Sequence, residues 1–109
     1  MAKHPIDALF AIIAARKGGD PSASYTAQLL NDGIARCAKK LGEEAVEAAL
    51  AAVTKDKRAL ASESADVLYH LLVLWAASGI APEDVYAALK ARESRSGLAE
   101  KAARKTTRR

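Results

Sequence analysis

The stretch VLYHLLVLWAA, Val67 to Ala77, is apolar on nearly every side of a 3.6-residue helix, and it restricts the fold more than any other feature of the chain. A helix of that kind has to be enclosed by others. It cannot cross a membrane, because the apolar run from Leu71 to Ala77 is far shorter than the roughly 20 residues a span requires. No alternation of apolar and polar residues suggests a strand anywhere. Half of the 109 residues are hydrophobic, yet many of these are alanine and only 5% of the chain is aromatic. That composition favours thin, closely packed helices over a sandwich or barrel. The fold class expected is all-α: four to five helices around a central antiparallel hairpin, with a shallow core completed by dimerisation.

Local signals place the helices. The first runs from about Ile6 to Lys17, with Leu9, Ile12, Ile13 and Arg16 on neighbouring faces, and GGDPSAS at 18–24 stops it. Ser24 is positioned to cap a short helix from Tyr25, which Asn31-Asp32-Gly33 breaks or kinks. A long helix from Ile34 to about Thr54 tolerates Gly42, whose missing side chain would also admit a backbone or a ligand. TKDK at 54–57 turns the chain into a helix from about Arg58 to Ser78, closed by Gly79. Pro82, Glu83 and Asp84 then open a last helix to about Arg92.

Charge and cysteine narrow the function classes. The net charge of +4 invites a nucleic-acid reading, but residues 1–99 hold twelve basic and twelve acidic residues and the excess sits in residues 100–109. The chain therefore divides into a near-neutral helical domain over 1–99 and a basic C-terminal tail, expected to be a solvated or frayed end. No nucleic-acid partner is expected, since such binding uses a broad basic surface; a helical dimer holding nucleic acid through its tail is the non-enzymatic alternative. Cys37 is the only cysteine, which rules out an intramolecular disulfide and suits a small apolar filler. ALFAIIAA near the N-terminus has helical spacing and charged flanks, so it is read as part of a mature cytoplasmic protein without membrane contact.

The acids next to these apolar segments carry the chemistry. Glu44 and Glu47 lie about 60° apart on one helix, and Glu63 and Asp66 have the same spacing on the next. Lys55, in the intervening turn, is midway between 47 and 63 and also between 44 and 66. An antiparallel hairpin thus sets 47 opposite 63 and 44 opposite 66. Carboxylates gathered between packed helices repel one another unless protonated or bridged by a cation, and all-oxygen ligands select a hard ion such as Mg²⁺. Glu43, about 40° from Glu47, would be an outer ligand or would orient an attacking water. Glutamates alone on a helix more often form a solvated face paired with Lys39 and Lys40; the equal offsets and the second acidic pair favour a metal site.

Basic residues adjoin that site. Arg36 and Lys40 share the helix face of Glu43 and Glu47, as phosphate chemistry beside a metal requires. Lys39, Arg16 and Lys17 are further candidates for phosphate binding, with the hydroxyls of PSASYT as added phosphate or ribose contacts. Arg16 and Lys17 equally suit a helix C-terminus, where positive charge is favourable. His70, four residues after Asp66, is either a hydrogen-bonding partner of a metal ligand or a core residue bonded to a carbonyl. No arrangement for a covalent nucleophile and no glycine-rich phosphate loop is legible.

KKLGEEAVEAALAA followed by ESADVLYHLLVLWAASGIAPEDVYAAL resembles the phosphoribosyl-ATP pyrophosphohydrolases of histidine biosynthesis, within the MazG-like all-α nucleotide pyrophosphohydrolases. Their shared signature, EExxE then ExxD, stands here as Glu43, Glu44 and Glu47, then Glu63 and Asp66. ARKGGDPSASYTAQLLNDGIARCAKK and RSGLAEKAARK extend the likeness over most of residues 7–105, leaving out the final KTTRR. The resemblance implies Mg²⁺-dependent hydrolysis of phosphoribosyl-ATP to phosphoribosyl-AMP and pyrophosphate by a cytoplasmic homodimer. Carried onto this chain, it makes Glu44, Glu47, Glu63 and Asp66 metal ligands, with Glu43 assisting catalysis. The enzymatic alternative is a house-cleaning nucleoside triphosphate pyrophosphohydrolase using the same acids.

Overall fold

The computed structural model describes residues 4–93, which form five helices: α1 Pro5–Ala15, α2 Tyr25–Asp32, α3 Ile34–Val53, α4 Lys57–Ser78 and α5 Pro82–Glu93. No strand occurs among them. The all-α class holds, and α3 and α4 pack along each other as its central hairpin. The basic tail at 100–109 lies outside the described residues.

Side-chain chemistry sets most helix ends. The Ser24 hydroxyl accepts the Ala27 N–H at 3.1 Å, capping α2. Gly33 separates α2 from α3 with φ at +101°, a conformation that a residue with a Cβ adopts only under strain. At the hairpin turn Lys55 takes φ +61°, and the Asp56 carboxylate accepts the Ala59 N–H at 3.0 Å to start α4. Gly79, left-handed at φ +76°, ends α4 as the Ile80 N–H reaches back to the Trp75 carbonyl at 2.9 Å. The chain then bends by 114° into α5, where Asp84 accepts the Ala81 N–H at 3.0 Å. α1 stops at Ala15, two residues short of the apolar pattern, which leaves Arg16 and Lys17 in the following turn.

α4 is the centre of the packing, touching α1, α2 and α3. Its Leu72, Val73, Trp75 and Ala76 meet Ile13 of α1, Leu29 of α2 and Cys37 of α3 in one buried cluster. Cys37 donates its S–H to the Leu29 carbonyl at 3.3 Å, and burial pushes its thiol pKa up, so it serves as packing between α2 and α3. The enclosure of α4 is incomplete near its midpoint, where Leu68 remains 44% exposed. Val46, Leu50 and Val53, at i, i+4 and i+7 on α3, are 59%, 59% and 76% exposed. No single helix among the described residues is long and apolar enough to cross a membrane.

Candidate functional site

Three carboxylates meet where α3 and α4 pack together. Glu44 of α3 and Glu63 and Asp66 of α4 each offer an oxygen, and these oxygens all lie within 4.8 Å of one another. Glu63 and Asp66 share a face because they are three residues apart. Glu44 joins them because the three-residue turn fixes the hairpin register, placing 44 level with 66. Glu44 and Glu63 are half-buried and Asp66 is exposed, so the group lies between solvent and core.

Glu63 gives the cluster its chemical character. Its Oε2 is buried without any hydrogen-bond partner, although buried acceptors are nearly always satisfied. A carboxylate oxygen left bare next to two further carboxylates is what a cation would complete. The donor set is oxygen only, which suits a hard divalent ion, and a separation of at most 4.8 Å is one that a single ion can bridge with small side-chain rotations. Glu47, one turn beyond Glu44, is exposed and lies outside this group of three.

Glu43 and Lys40 form a pair at the margin of the cluster. Lys40 Nζ lies 3.1 Å from Glu43 Oε1, and this hydrogen bond raises the lysine pKa and lowers that of the glutamic acid. Neither is isolated: Lys40 also senses Glu44 and the Tyr25 phenol, while Lys39 and Arg36 act on Glu43. The local pairing of a solvated face and the proximity to the acid cluster therefore coexist. Lys39 is exposed on α3. Arg16 and Lys17 are exposed in the turn after α1, and Lys17 borders a shallow cleft with Phe10, Ala14, Ala76 and Ile80. Ala76 is ten residues beyond Asp66, or about 15 Å along α4, so Lys17 sits towards the far end of that helix.

His70 connects the acids to α2. It is 6% exposed, with Nδ1 buried and lacking a partner, so the backbone carbonyl bond that would make it an ordinary core histidine is not formed at that nitrogen. Burial, reinforced by Lys40, lowers its pKa, against the opposing pull of Asp66 and Glu43. Tyr25 and Tyr69 meet its ring edge-on, with centroids 6.2 and 4.9 Å away at interplanar angles of 86° and 79°. The Tyr69 and Thr26 hydroxyls hydrogen-bond to each other, tying α4 to α2. The serine and threonine hydroxyls of PSASYT thus have partners within the protein: Ser22 with Asp20, Ser24 at its cap, Thr26 with Tyr69. The aromatic setting of His70 is the part that helix phase does not supply, since Tyr25 is 45 residues away in sequence. Gly42 opens to free space, with no atom within 4 Å of an added Cβ.

Comparison with known proteins is consistent with this geometry. Residues 6–93 match the family described as phosphoribosyl-ATP pyrophosphohydrolase, a span that includes every candidate site residue. Phosphoribosyl-ATP pyrophosphatase of Parvibaculum lavamentivorans is 63% identical over 99 residues, covering 91% of each chain. The protein of that name from Azospirillum brasilense is 56% identical over 101 residues, 93% of this chain and 91% of the relative. The one from Caulobacter vibrioides is 64% identical over 96 residues, 88% of this chain and 89% of the relative. A family match over nearly all the described residues, with relatives of this identity and coverage, places the chain in the phosphoribosyl-ATP pyrophosphohydrolase family.

Proposed function

We propose that this protein hydrolyses phosphoribosyl-ATP to phosphoribosyl-AMP and pyrophosphate, the second step of histidine biosynthesis, with Mg²⁺ held by Glu44, Glu63 and Asp66 and assisted by Glu47. The observation that carries the metal assignment is the bare, buried Glu63 Oε2 in a group of three carboxylates. Family membership favours this substrate over ordinary nucleoside triphosphates, which the acids alone would not distinguish. When bound, Mg²⁺ supplies positive charge against the polyphosphate oxygens and so lowers the cost of the charge that builds up on the leaving pyrophosphate.

The chain's own residues provide the rest. Lys40 attracts the phosphates, aided by Lys39, with Arg16 and Lys17 as more distant candidates; on binding, Lys40 exchanges part of its contact with Glu43 for phosphate oxygen. Glu43, kept ionised by Lys40, accepts a hydrogen bond from water and orients it towards phosphorus, and Glu47 is the alternative acceptor. Water oxygen forms a bond to phosphorus, the α–β phosphoanhydride opens, and pyrophosphate departs with the bonding electron pair. The proton lost by the water passes to the carboxylate and on to solvent. His70, neutral in its buried setting, braces the α4 face that carries Asp66 and Glu63. The apolar stripe of Val46, Leu50 and Val53 is assigned to a homodimer interface, and a cytoplasmic location follows from the biosynthetic role.

The test is pyrophosphate release by wild type, Glu63→Gln and Asp66→Asn from phosphoribosyl-ATP and from a panel of nucleoside triphosphates, with and without Mg²⁺. Wild type should act on phosphoribosyl-ATP in preference to the panel and lose activity in EDTA. Each variant should keep its helical content and lose at least about 100-fold in turnover, in keeping with removal of a metal ligand. Turnover close to wild type in either variant at saturating Mg²⁺ would reject the site.

A further inference from the structure

The chain contains five aromatic side chains, and all lie among the described residues. Trp75 is buried, and Phe10, Tyr69 and Tyr86 are half-buried in packing. Tyr25 differs: it is 47% exposed at the start of α2, and its ring meets His70, one turn along α4 from Asp66. Its ring stands at 86° to that of His70. A perpendicular contact of this kind covers at most one face of the tyrosine, so at least one π-face is not covered by His70. The buried histidine in turn fixes the ring's position from behind.

The surroundings suit one class of ligand. The Tyr25 phenol is close enough to Lys40 to act on it electrostatically, and Lys40 contacts Glu43 and senses Glu44. An open aromatic face, a lysine and a three-carboxylate cluster therefore follow one another from α2 across α3 to α4. A nucleotide has the same sequence of parts: a flat base, then phosphates, then the counter-ion those phosphates share. We propose that Tyr25 is the base-binding residue of the site, its exposed ring stacking on the purine of the substrate while Lys40 and the acid cluster engage the polyphosphate end. The proposal rests on the nucleotide hydrolase reading above and assigns its base subsite. Stacking of this type needs only a π-face, so the ring and not the hydroxyl is the essential part of Tyr25.

The experiment compares wild type, Tyr25→Phe and Tyr25→Leu. Measured are kcat and KM for pyrophosphate release from phosphoribosyl-ATP, calorimetric affinity for AMP and for pyrophosphate in Mg²⁺, and the oligomeric state by sedimentation. Tyr25→Phe should retain the wild-type KM. Tyr25→Leu should raise KM about fivefold or more with kcat little changed, as loss of one stacked base implies. It should weaken AMP by a similar factor and leave pyrophosphate alone. A KM in Tyr25→Leu within about twofold of wild type, parallel losses for AMP and pyrophosphate, or a change of oligomeric state would overturn the assignment. Should Tyr25→Leu lose its helical signal, Tyr25→Trp decides: a KM at or below wild type supports stacking, and a fivefold rise opposes it. Wild type that releases no pyrophosphate from phosphoribosyl-ATP would instead reject the proposed function, and the AMP affinities would still decide the role of Tyr25.

Discussion

His70 is a buried base in a position where charging it is unfavourable. Burial is the larger cause and Lys40 the second, so its pKa in the folded chain lies below the ordinary 6.5. Below the unfolded-state pKa the unfolded chain takes up a proton that the folded chain resists, so acid favours unfolding. Stability should therefore fall as pH drops below about 6.5, before most exposed carboxylates titrate. Melting temperatures in EDTA between pH 7.5 and 5.5 check this: wild type should lose stability across that range and His70→Asn should lose less. A slope unchanged in the variant would mean that His70 is not the titrating group. Among the described residues, Glu63 Oε2 is the other buried side-chain polar atom without a partner. Two unsatisfied atoms on one stripe of α4, at 63 and 70, mark it as a face built for something other than packing.

Among the elements, α5 and α1 are joined by a long-range hydrogen bond. The Tyr86 hydroxyl donates to Asp7 Oδ1 at 2.8 Å across 79 residues of sequence, and this bond pushes the phenol pKa up to about 12. Tyr86→Phe should lower the melting temperature at pH 7 by a few degrees. Because the folded-state pKa is the raised one, the bond's contribution is full below the ordinary phenol pKa of 10 and disappears as pH rises towards 12. The gap between wild type and Tyr86→Phe should thus close between pH 10 and 12, which thermal melts in that range would detect; a constant gap would contradict the role of the bond. No periodicity in the sequence reveals this contact, nor the Thr26–Tyr69 bond, since each joins residues that only the tertiary fold brings together. What was legible is local chemistry. Ser24, Gly33, Gly79 and Pro82 announce their caps and breaks, and the all-round apolar stretch announces that α4 is enclosed. The pairing of Glu44 with Asp66 was legible too, because a short turn makes the register of a hairpin almost a local property. Glu47 shows the limit of that reasoning: helix phase gives its angle relative to Glu44, but the way two helices cross decides which acids reach the common space.

Among the described residues, one face of the central hairpin is left exposed. Val46, Leu50 and Val53 form a single stripe on α3 and are each more than half exposed, which is costly for a chain whose core is so small. Covering a half-exposed aliphatic side chain gains about 1 kcal/mol. A twofold contact brings two such stripes together, and the alanines beside them, Ala45, Ala49 and Ala52, let helix backbones approach closely. The stripe lies on the same helix as Glu44, so an interface there would also brace the acid cluster from behind. Leu50, central in the stripe, is the position where a buried charge would be least tolerated. Leu50→Glu should therefore shift the sedimenting mass from two chains to one at micromolar concentration while far-UV circular dichroism stays helical. Apolar surface exposed by that dissociation should bind ANS more strongly than wild type does. If the mass were unchanged, the association would have to use a different face, and the stripe on α3 would need another occupant.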